Sequence, residues 1–162
     1  MTSYNRIQPL RLMFFQPDIP QNLGTIIRLC ACLGVPLDVV EPCGFPFSAK
    51  ALRRSSMDYF HFAKIKKHVN FKECCETLNE NRLVLLTTKV QKTLWDFEFK
   101  KNDVLIVGSE TAGVPDYVAG YVDSKINIPM PGGGRSLNVA VSASIALGEA
   151  TRQLSIATQK VF

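Results

Sequence analysis

Hydrophobic positions alternate along the chain between short continuous runs and stripes with helical spacing. The continuous apolar runs, which are typical of buried parallel strands, are Leu10–Phe15, Leu37–Val40, Phe62–Ile65, Leu83–Thr88, Val104–Gly108 and Ile126–Met130. The predicted helices are Gln21–Leu33, Ala49–Ser55, Phe71–Asn79, a short helix starting near Pro115, and Ser136–Leu154. Strands that alternate with helices at this spacing indicate βαβ units. We therefore predict an α/β fold with a mostly parallel sheet and helices on both faces.

The chain length favours one structural unit. With 162 residues and no linker or low-complexity segment, we expect a single domain over residues 1–162. The predicted last helix has an unusual composition, because Val139–Gly148 consists almost entirely of small or apolar residues. A helix with so little charge around its circumference is predicted to be buried and closely approached by other backbone.

Charge and cysteine usage narrow the functional class. Nineteen Lys and Arg against fourteen Asp and Glu give a net charge of +5, which suits a polyanionic partner and also plain solubility. The cysteines are odd in number and lack C-x-x-C spacing, and the histidines show no ligand spacing with them, so we expect reduced thiols and no metal site. The polar start Met1–Gln8 and the absence of a long apolar run predict a cytoplasmic protein without a membrane span.

Several common catalytic motifs are absent. The first strand is not followed by G-x-G-x-x-G, and the sequence contains no P-loop, H-E-x-x-H or G-x-S-x-G. The sequence therefore does not support an ordinary dinucleotide fold, a P-loop nucleotidase, a zinc protease or an esterase.

Three segments combine loop-forming residues with polar side chains. Pro20–Arg28 opens the first helix, where main-chain N–H groups attract anions, and Arg28 suits either function or a solvated surface. Val107–Pro115 carries two glycines and Glu110, which suit a ligand loop or an ordinary strand-to-helix turn. Ile128–Asn138, with three consecutive glycines, can expose main-chain groups to a flat heteroaromatic ligand or act as a flexible connector.

These segments resemble, in order, the three motifs of the SpoU branch of the SPOUT RNA methyltransferases. The chain is most similar to the subfamily that methylates the 2′-hydroxyl of the wobble cytidine or uridine of tRNA. The further matching segments are Gln16–Asn22, Ile27–Ala31, Glu41–Pro42, Gly44–Phe45, Leu52–Arg54, Asp58–Tyr59 and Thr87–Lys89. The resemblance extends from about Leu10 to Leu154.

The resemblance implies a fold, a cofactor and a set of roles. The fold would include a deep trefoil knot in the C-terminal part. S-adenosylmethionine, with S-adenosylhomocysteine as product, would be bound by Leu86, Thr87, Gly108, Glu110, Ile128, Met130, Ser136 and Asn138. Arg28 would be catalytic, and the RNA-binding residues would be Asn22, Arg53, Arg54 and Arg135. The partners would be the anticodon stem-loop of tRNA and a second copy of the chain, which pairs through its first and last helices.

The basic middle of the chain could supply further contacts to the tRNA backbone, or it could form a solvated charged surface. Its residues are Lys50, Arg53, Arg54, Lys64, Lys66, Lys67 and His68.

Two positions depart from the pattern of the wobble subfamily. Gly148 precedes Glu149–Ala150 where some relatives carry a tyrosine, so no role of that tyrosine transfers to this chain. Ser136–Ser142 is closer to the broader SpoU form, which keeps another tRNA or rRNA position open as the target. A catalytically silent RNA-binding protein with the same fold is the alternative from a different functional class.

Overall fold

The computed structural model describes residues 9–159, without the side chains of Arg53, Ser55, Met57 and residues 156–159. Six strands form one sheet: β1 (Leu10–Phe15), β2 (Leu37–Val40), β3 (Ile65–His68), β4 (Arg82–Leu86), β5 (Asp103–Val107) and β6 (Ser124–Ile126). Their order is β3-β2-β1-β5-β4-β6, and every neighbouring pair is parallel. The predicted parallel α/β fold is therefore confirmed.

Five α-helices accompany these strands, four of them between strands and the fifth after β6. They are α1 (Pro20–Leu33), α2 (Ala49–Ser56), α3 (Phe71–Thr77), α4 (Asp116–Tyr121) and α5 (Val139–Gln159), and short 3₁₀ helices span Met57–His61 and Leu94–Asp96. Proline occupies the first turn of α1, where its missing N–H costs nothing. The helix ends at Gly34, whose φ of 69° lies in the left-handed region that glycine adopts readily.

The sheet is covered on both faces, as predicted. Leu12 and Phe14 of β1 belong to a core shared with α1, α2 and α5, whereas Met13 and Phe15 belong to a second core shared with α3 and α4. Successive side chains of a strand point to opposite faces, so β1 contributes to both cores. No helix among residues 9–159 is long and apolar enough to cross a membrane.

Three predicted boundaries are wrong, each for a local reason. Phe62–Ile65 is not a strand: the chain continues from α2 into a 3₁₀ helix, and pairing with β2 begins only at Ile65. The last strand runs from Ser124 to Ile126 rather than from Ile126 to Met130, because the chain leaves the sheet towards a proline-containing loop. Helix α5 begins at Val139 rather than at Ser136.

His68 does not belong to the basic surface. It is wholly buried, and its Nε2 lies 2.8 Å from Oδ1 of Asp38, whose Oδ2 accepts a 2.7 Å hydrogen bond from Nε of Arg11. Ligand-type atoms of Asp38, His68 and Cys74 lie within 4.8 Å of one another. Both oxygens of Asp38 are engaged within the chain, so the buried carboxylate is compensated by its own neighbours.

The last helix is buried on one side only within this chain. Ala140, Ala143 and Ala146 belong to the core, whereas Val141 and Gly148 are exposed. The expectation of burial all round is therefore not met by a single chain.

Candidate cofactor site

A cavity of about 710 Å³ lies beyond the carboxyl ends of β4, β5 and β6. Its volume is in the range of small-molecule binding sites. The residues before α1 and those at the start of α5 complete its wall. Strands β2 and β3 lie on one side of β1 in the sheet, and β5, β4 and β6 lie on the other side, so the direction of strand addition reverses at β1. Ligands bind at such a switch point in open parallel sheets.

The structure brings all eight residues predicted to bind the cofactor to this cavity. The lining includes Leu86, Thr87, Gly108, Glu110, Ile128, Met130, Ser136 and Asn138. They come from three separate loops, which follow β4, β5 and β6. Asn22, predicted to bind RNA, also lines it.

Gly108 lies so close to the backbone of its own turn that there is no room for a side chain. A Cβ at this position would lie 2.6 Å from the carbonyl carbon of Gly113. Gly108 is followed by a closed turn in which Ser109 and Gly113 exchange main-chain hydrogen bonds of 3.0 and 2.8 Å. The first obstacle to a side chain is therefore the protein's own turn, and space for a ligand comes second.

Glu110 ties this turn to the start of α1. Its Oε2 accepts a 2.7 Å hydrogen bond from the main-chain N–H of Asp18, and its Oε1 accepts 3.2 Å bonds from the N–H of Ile19 and Nδ2 of Asn22. Hydrogen bonds to an ionised carboxylate are stronger than those between neutral groups. Glu110 therefore fixes the geometry of the first two motifs relative to each other.

Asp18 holds the same junction from the opposite side. Its Oδ2 accepts a 2.5 Å hydrogen bond from Oγ of Ser109 and a second bond from Oγ1 of Thr111. These two hydroxyl donors, Ser109 first, lower the pKa of the Asp18 carboxyl. The sequence reasoning did not assign roles to these three residues. Ser109 and Thr111 flank Glu110 in a loop that follows a strand, and this pattern could have indicated a polar site.

Asn138 connects the third motif to the first. Its Oδ1 accepts hydrogen bonds from the N–H groups of Ala140, at 2.8 Å, and Val141, at 3.3 Å, so it caps α5. Its Nδ2 donates a 3.0 Å hydrogen bond to Oδ1 of Asn22. A continuous polar chain thus runs from Glu110 through Asn22 to Asn138.

The arginines lie apart from this cavity. Arg28, Arg54 and Arg135 are exposed and do not contribute to its lining. The guanidinium carbon of Arg28 lies 5.2 Å from the ring centroid of Tyr59, a cation–π distance. The fourth predicted arginine, Arg53, has its side chain outside the described part of the structure.

The chemistry of the lining suits a ligand with a flat ring and a polar tail. Leu86, Ile128 and Met130 supply apolar contact, whereas Thr87 and Ser136 supply hydroxyl groups. Because the cavity is bounded largely by loops, their main-chain N–H and C=O groups are available to recognise ring nitrogens. S-adenosylmethionine has this combination of an adenine ring and a charged amino acid tail.

Comparisons with known proteins agree with this geometry. The sequence profile of the SpoU rRNA Methylase family matches residues 9–148. The tRNA (cytidine(34)-2'-O)-methyltransferase of Beijerinckia indica is 47% identical over 145 residues, which cover 88% of this chain and 91% of that protein. The protein of the same name from Escherichia coli K12 is 37% identical, with 90% and 94% covered.

Solved structures show the same similarity. A structure that concerns the 2-OH methylation of C/U34 on tRNA superposes with a TM-score of 0.85 at 37% identity, over 90% of this chain and 96% of that one. The SpoU methyltransferase AviRb from Streptomyces viridochromogenes, in complex with the cofactor AdoMet, has a TM-score of 0.83 at 29% identity. That match covers 94% of this chain and 62% of AviRb. The extent of these matches shows that this chain belongs to the SpoU rRNA Methylase family.

Proposed function

We propose that this protein transfers a methyl group from S-adenosylmethionine to the ribose 2′-hydroxyl of the wobble nucleotide, cytidine or uridine 34, of tRNA. The observation that carries the reaction type is the meeting of three separate loops, with all eight predicted cofactor residues, around one cavity. The proposed target nucleotide is supported by relatives that match along most of their length, since they are named for cytidine 34 of tRNA.

The proposed cofactor site uses the loops after β4, β5 and β6. When bound, S-adenosylmethionine supplies a methyl group already activated by its sulfonium centre, and S-adenosylhomocysteine is left as product. Leu86, Ile128 and Met130 would pack against the adenine, and the chain Glu110–Asn22–Asn138 would hold the loops after β5 and β6 against the start of α1. We propose no metal in this reaction.

Arg28 is the proposed catalytic residue. A ribose hydroxyl is a poor nucleophile, so the protein must align it with the methyl group and assist removal of its proton. A guanidinium remains protonated at any physiological pH and is a poor base. Arg28 therefore orients the ribose through the adjacent phosphate, and a phosphate oxygen or water accepts the proton.

Arg28 does not line the cavity of its own chain, which supports catalysis across an interface between two copies of the chain. We propose a homodimer in which Arg28 of one protomer serves the cavity of the other. Exposed positions on α1, among them Thr25 and Arg28, and on α5, among them Val141 and Ser144, leave faces available for such an interface. Val141 is 47% exposed, which is high for a valine on so apolar a helix.

We further propose the deep trefoil knot of the SPOUT fold. Its support is the set of hydrogen bonds between the segment after β6 and the loop after β4. Asn127 donates its N–H to the carbonyl of Lys92, at 2.9 Å, and accepts from the N–H of Leu94, at 2.7 Å. Its side-chain amide donates to the carbonyl of Val90. A knot that threads the segment after β6 past the loop after β4 requires contacts of this kind.

The proposed tRNA contacts come from basic residues outside the cavity, namely Arg53, Arg54 and Arg135, together with Asn22 at its edge. Such contacts to phosphates would fix the anticodon stem-loop without reading its sequence. We propose that residues 1–162 act as one methyltransferase domain, and that the protein acts in the cytoplasm on tRNA.

Two experiments test the proposed function. Ribose methylation is mapped in tRNA from a strain lacking the gene, and the purified protein is then incubated with that tRNA and S-adenosylmethionine. We expect loss of 2′-O-methylation at nucleotide 34 in the strain and its restoration in vitro. Loss at another tRNA or rRNA position would support the alternative target. An unchanged methylation map with tight RNA binding and no binding of S-adenosylmethionine in calorimetry would indicate a silent binding protein.

A further inference from the structure

A second RNA-binding feature lies on the segment between α2 and β3. Phe62 is 76% exposed, the highest value among the large apolar side chains that the structure describes. It follows the 3₁₀ helix Met57–His61, and its N–H donates a 3.0 Å hydrogen bond to the carbonyl of Tyr59. The backbone under this exposed ring is therefore fixed.

The surroundings of Phe62 are cationic. The stretch from residue 49 to residue 68 contains six Lys and Arg residues and a single carboxylate, Asp58. Arg54 and Lys64, on either side of the 3₁₀ helix in sequence, are both exposed, as is His61 next to Phe62. An exposed aromatic ring among cations is the arrangement with which proteins bind single-stranded nucleic acid, since cations hold the backbone and the ring stacks on a base.

The same segment contacts the proposed catalytic arginine. Tyr59, which accepts the hydrogen bond from Phe62, lies under the guanidinium of Arg28 at 5.2 Å. A nucleotide bound by Arg28 would therefore have its loop neighbours close to this aromatic segment. A membrane or an acidic protein could also meet a basic patch, but neither explains an exposed ring whose backbone is hydrogen-bonded to Tyr59, the residue under the proposed catalytic arginine.

We propose that Phe62 is a base-stacking platform, on which an unpaired base of the tRNA loop, next to the nucleotide being methylated, is held. This inference rests on the proposed function and adds a determinant of substrate choice to it. Stacking requires a base that is free of a helix, so Phe62 favours loop nucleotides over paired stems. The cations of the segment add affinity that does not depend on sequence.

The test compares Phe62→Ala, Phe62→Leu and Phe62→Trp in the full-length protein. The probes are tRNA from the strain lacking the gene and a blunt RNA duplex without a loop. We expect Phe62→Ala and Phe62→Leu to bind tRNA about tenfold or more weakly, with a higher KM and little change in kcat, because stacking of one base is lost. Phe62→Trp should bind at least as well as the unaltered protein. Duplex binding and S-adenosylmethionine affinity should not change.

Controls separate stacking from other contacts. Val69→Ala removes another exposed apolar side chain, 70% exposed at the end of β3, and should leave tRNA binding unchanged. Arg54→Ala should reduce the slope of log tRNA affinity against log salt concentration by about one, because one phosphate contact is lost. Phe62→Ala should leave this slope unchanged. Because Trp95 is the only tryptophan of the sequence, Phe62→Trp combined with Trp95→Phe gives a fluorescence signal that tRNA should quench.

Several results would overturn the inference. They are unchanged tRNA affinity in Phe62→Ala, full affinity in Phe62→Leu, an equal loss for the duplex, or a change of oligomeric state in Phe62→Ala. Failure of the proposed function would be visible separately, because it would show as the absence of wobble methylation by the unaltered protein.

Discussion

At the scale of single residues, Gly108 shows how the absence of a side chain shapes a binding cavity. We expect Gly108→Ala to weaken S-adenosylmethionine binding about tenfold or more, because the new methyl group would force the turn that ends at Gly113 to open, at about 1–3 kcal/mol. Calorimetry measures the affinity, and circular dichroism checks that the fold is retained. Gly132→Ala is the matched control, since a Cβ there meets nothing within 4 Å. Unchanged affinity in Gly108→Ala would contradict this account of the turn.

Arg28 is expected to contribute to methyl transfer and not to cofactor affinity. Arg28→Ala should bind S-adenosylmethionine normally in calorimetry while methyl transfer to tRNA falls about 100-fold or more, as expected when a reactant is no longer aligned. Arg28→Lys should recover only part of the activity, because an ammonium group cannot make the two-pronged contact of a guanidinium. Full turnover by Arg28→Ala would show that Arg28 is an ordinary surface residue.

At the scale of secondary structure elements, α5 is fastened to the loop after β4 by one side chain. Oε1 of Gln153 accepts a 2.9 Å hydrogen bond from the N–H of Phe99, and its Nε2 donates one of 2.9 Å to the carbonyl of Phe97. Gln153→Ala leaves both main-chain groups without these bonds, so we expect it to lower the free energy of unfolding by about 1–3 kcal/mol. Urea denaturation measures the loss. Arg152→Ala on the exposed side of the same turn should cost much less.

The Glu149 carboxylate, which accepts a hydrogen bond from Gln153, makes the stability of this contact between α5 and the loop sensitive to acid. Bidentate bonding from Arg152 and a bond from Gln153 lower the pKa of Glu149 from 4.5 to about 2. Because the folded-state pKa is lowered, the stabilisation is present above pH 4.5 and is lost as the pH falls towards about 2. Arg152 is largely exposed, so solvent screening keeps this contribution to stability small. The unfolding free energies of the unaltered protein and of Glu149→Gln should differ at neutral pH and converge in acid. A constant difference would contradict this assignment.

The elements also show how far sequence predicts this structure. Apolar runs located most of the strands, since buried strands need continuous hydrophobic side chains. The same signal failed at Phe62, where an apolar residue is exposed, and after Ile126, where apolar residues line a cavity instead of a sheet. The segments Pro20–Arg28, Val107–Pro115 and Ile128–Asn138 were found from their glycines and polar residues, whereas the roles of Leu86 and Thr87 came only from the family resemblance. The bonds of Asp18 to Ser109 and Thr111 were not found, because they join positions more than ninety residues apart that only the strand order brings together.

At the scale of the whole molecule, the proposed active site needs residues from two chains. Mixing Arg28→Ala chains with Gly108→Val chains should produce heterodimers in which one cavity is intact and faces an intact arginine. We expect neither variant alone to methylate tRNA and the mixture to regain up to half of the normal activity per heterodimer, because one of two sites is restored. Methyl transfer is measured after co-expression with different affinity tags. No recovery in proven heterodimers would show that catalysis does not cross the interface.

The interface itself can be tested at the exposed side of α5. Ser144→Asp introduces a charge at an exposed position, so it should separate the dimer in sedimentation analysis and abolish methyl transfer while each chain stays folded. Ala146 is unsuitable for this purpose, since it is fully buried in its own chain and a charge there would disrupt the core. An active Ser144→Asp monomer would contradict the proposed assembly.

The central place of β1 in the sheet has a consequence for how the protein is made. β2 and β3 complete one side of β1 by residue 68, but its other side is paired only by β5, which begins at Asp103. A chain emerging from the ribosome therefore carries an unpaired, largely apolar strand edge until β5 has also emerged. Such edges promote association with other chains, and pairing between distant segments is slow. The nascent chain should accordingly depend on ribosome-associated chaperones after β3 has emerged and before β5 has emerged.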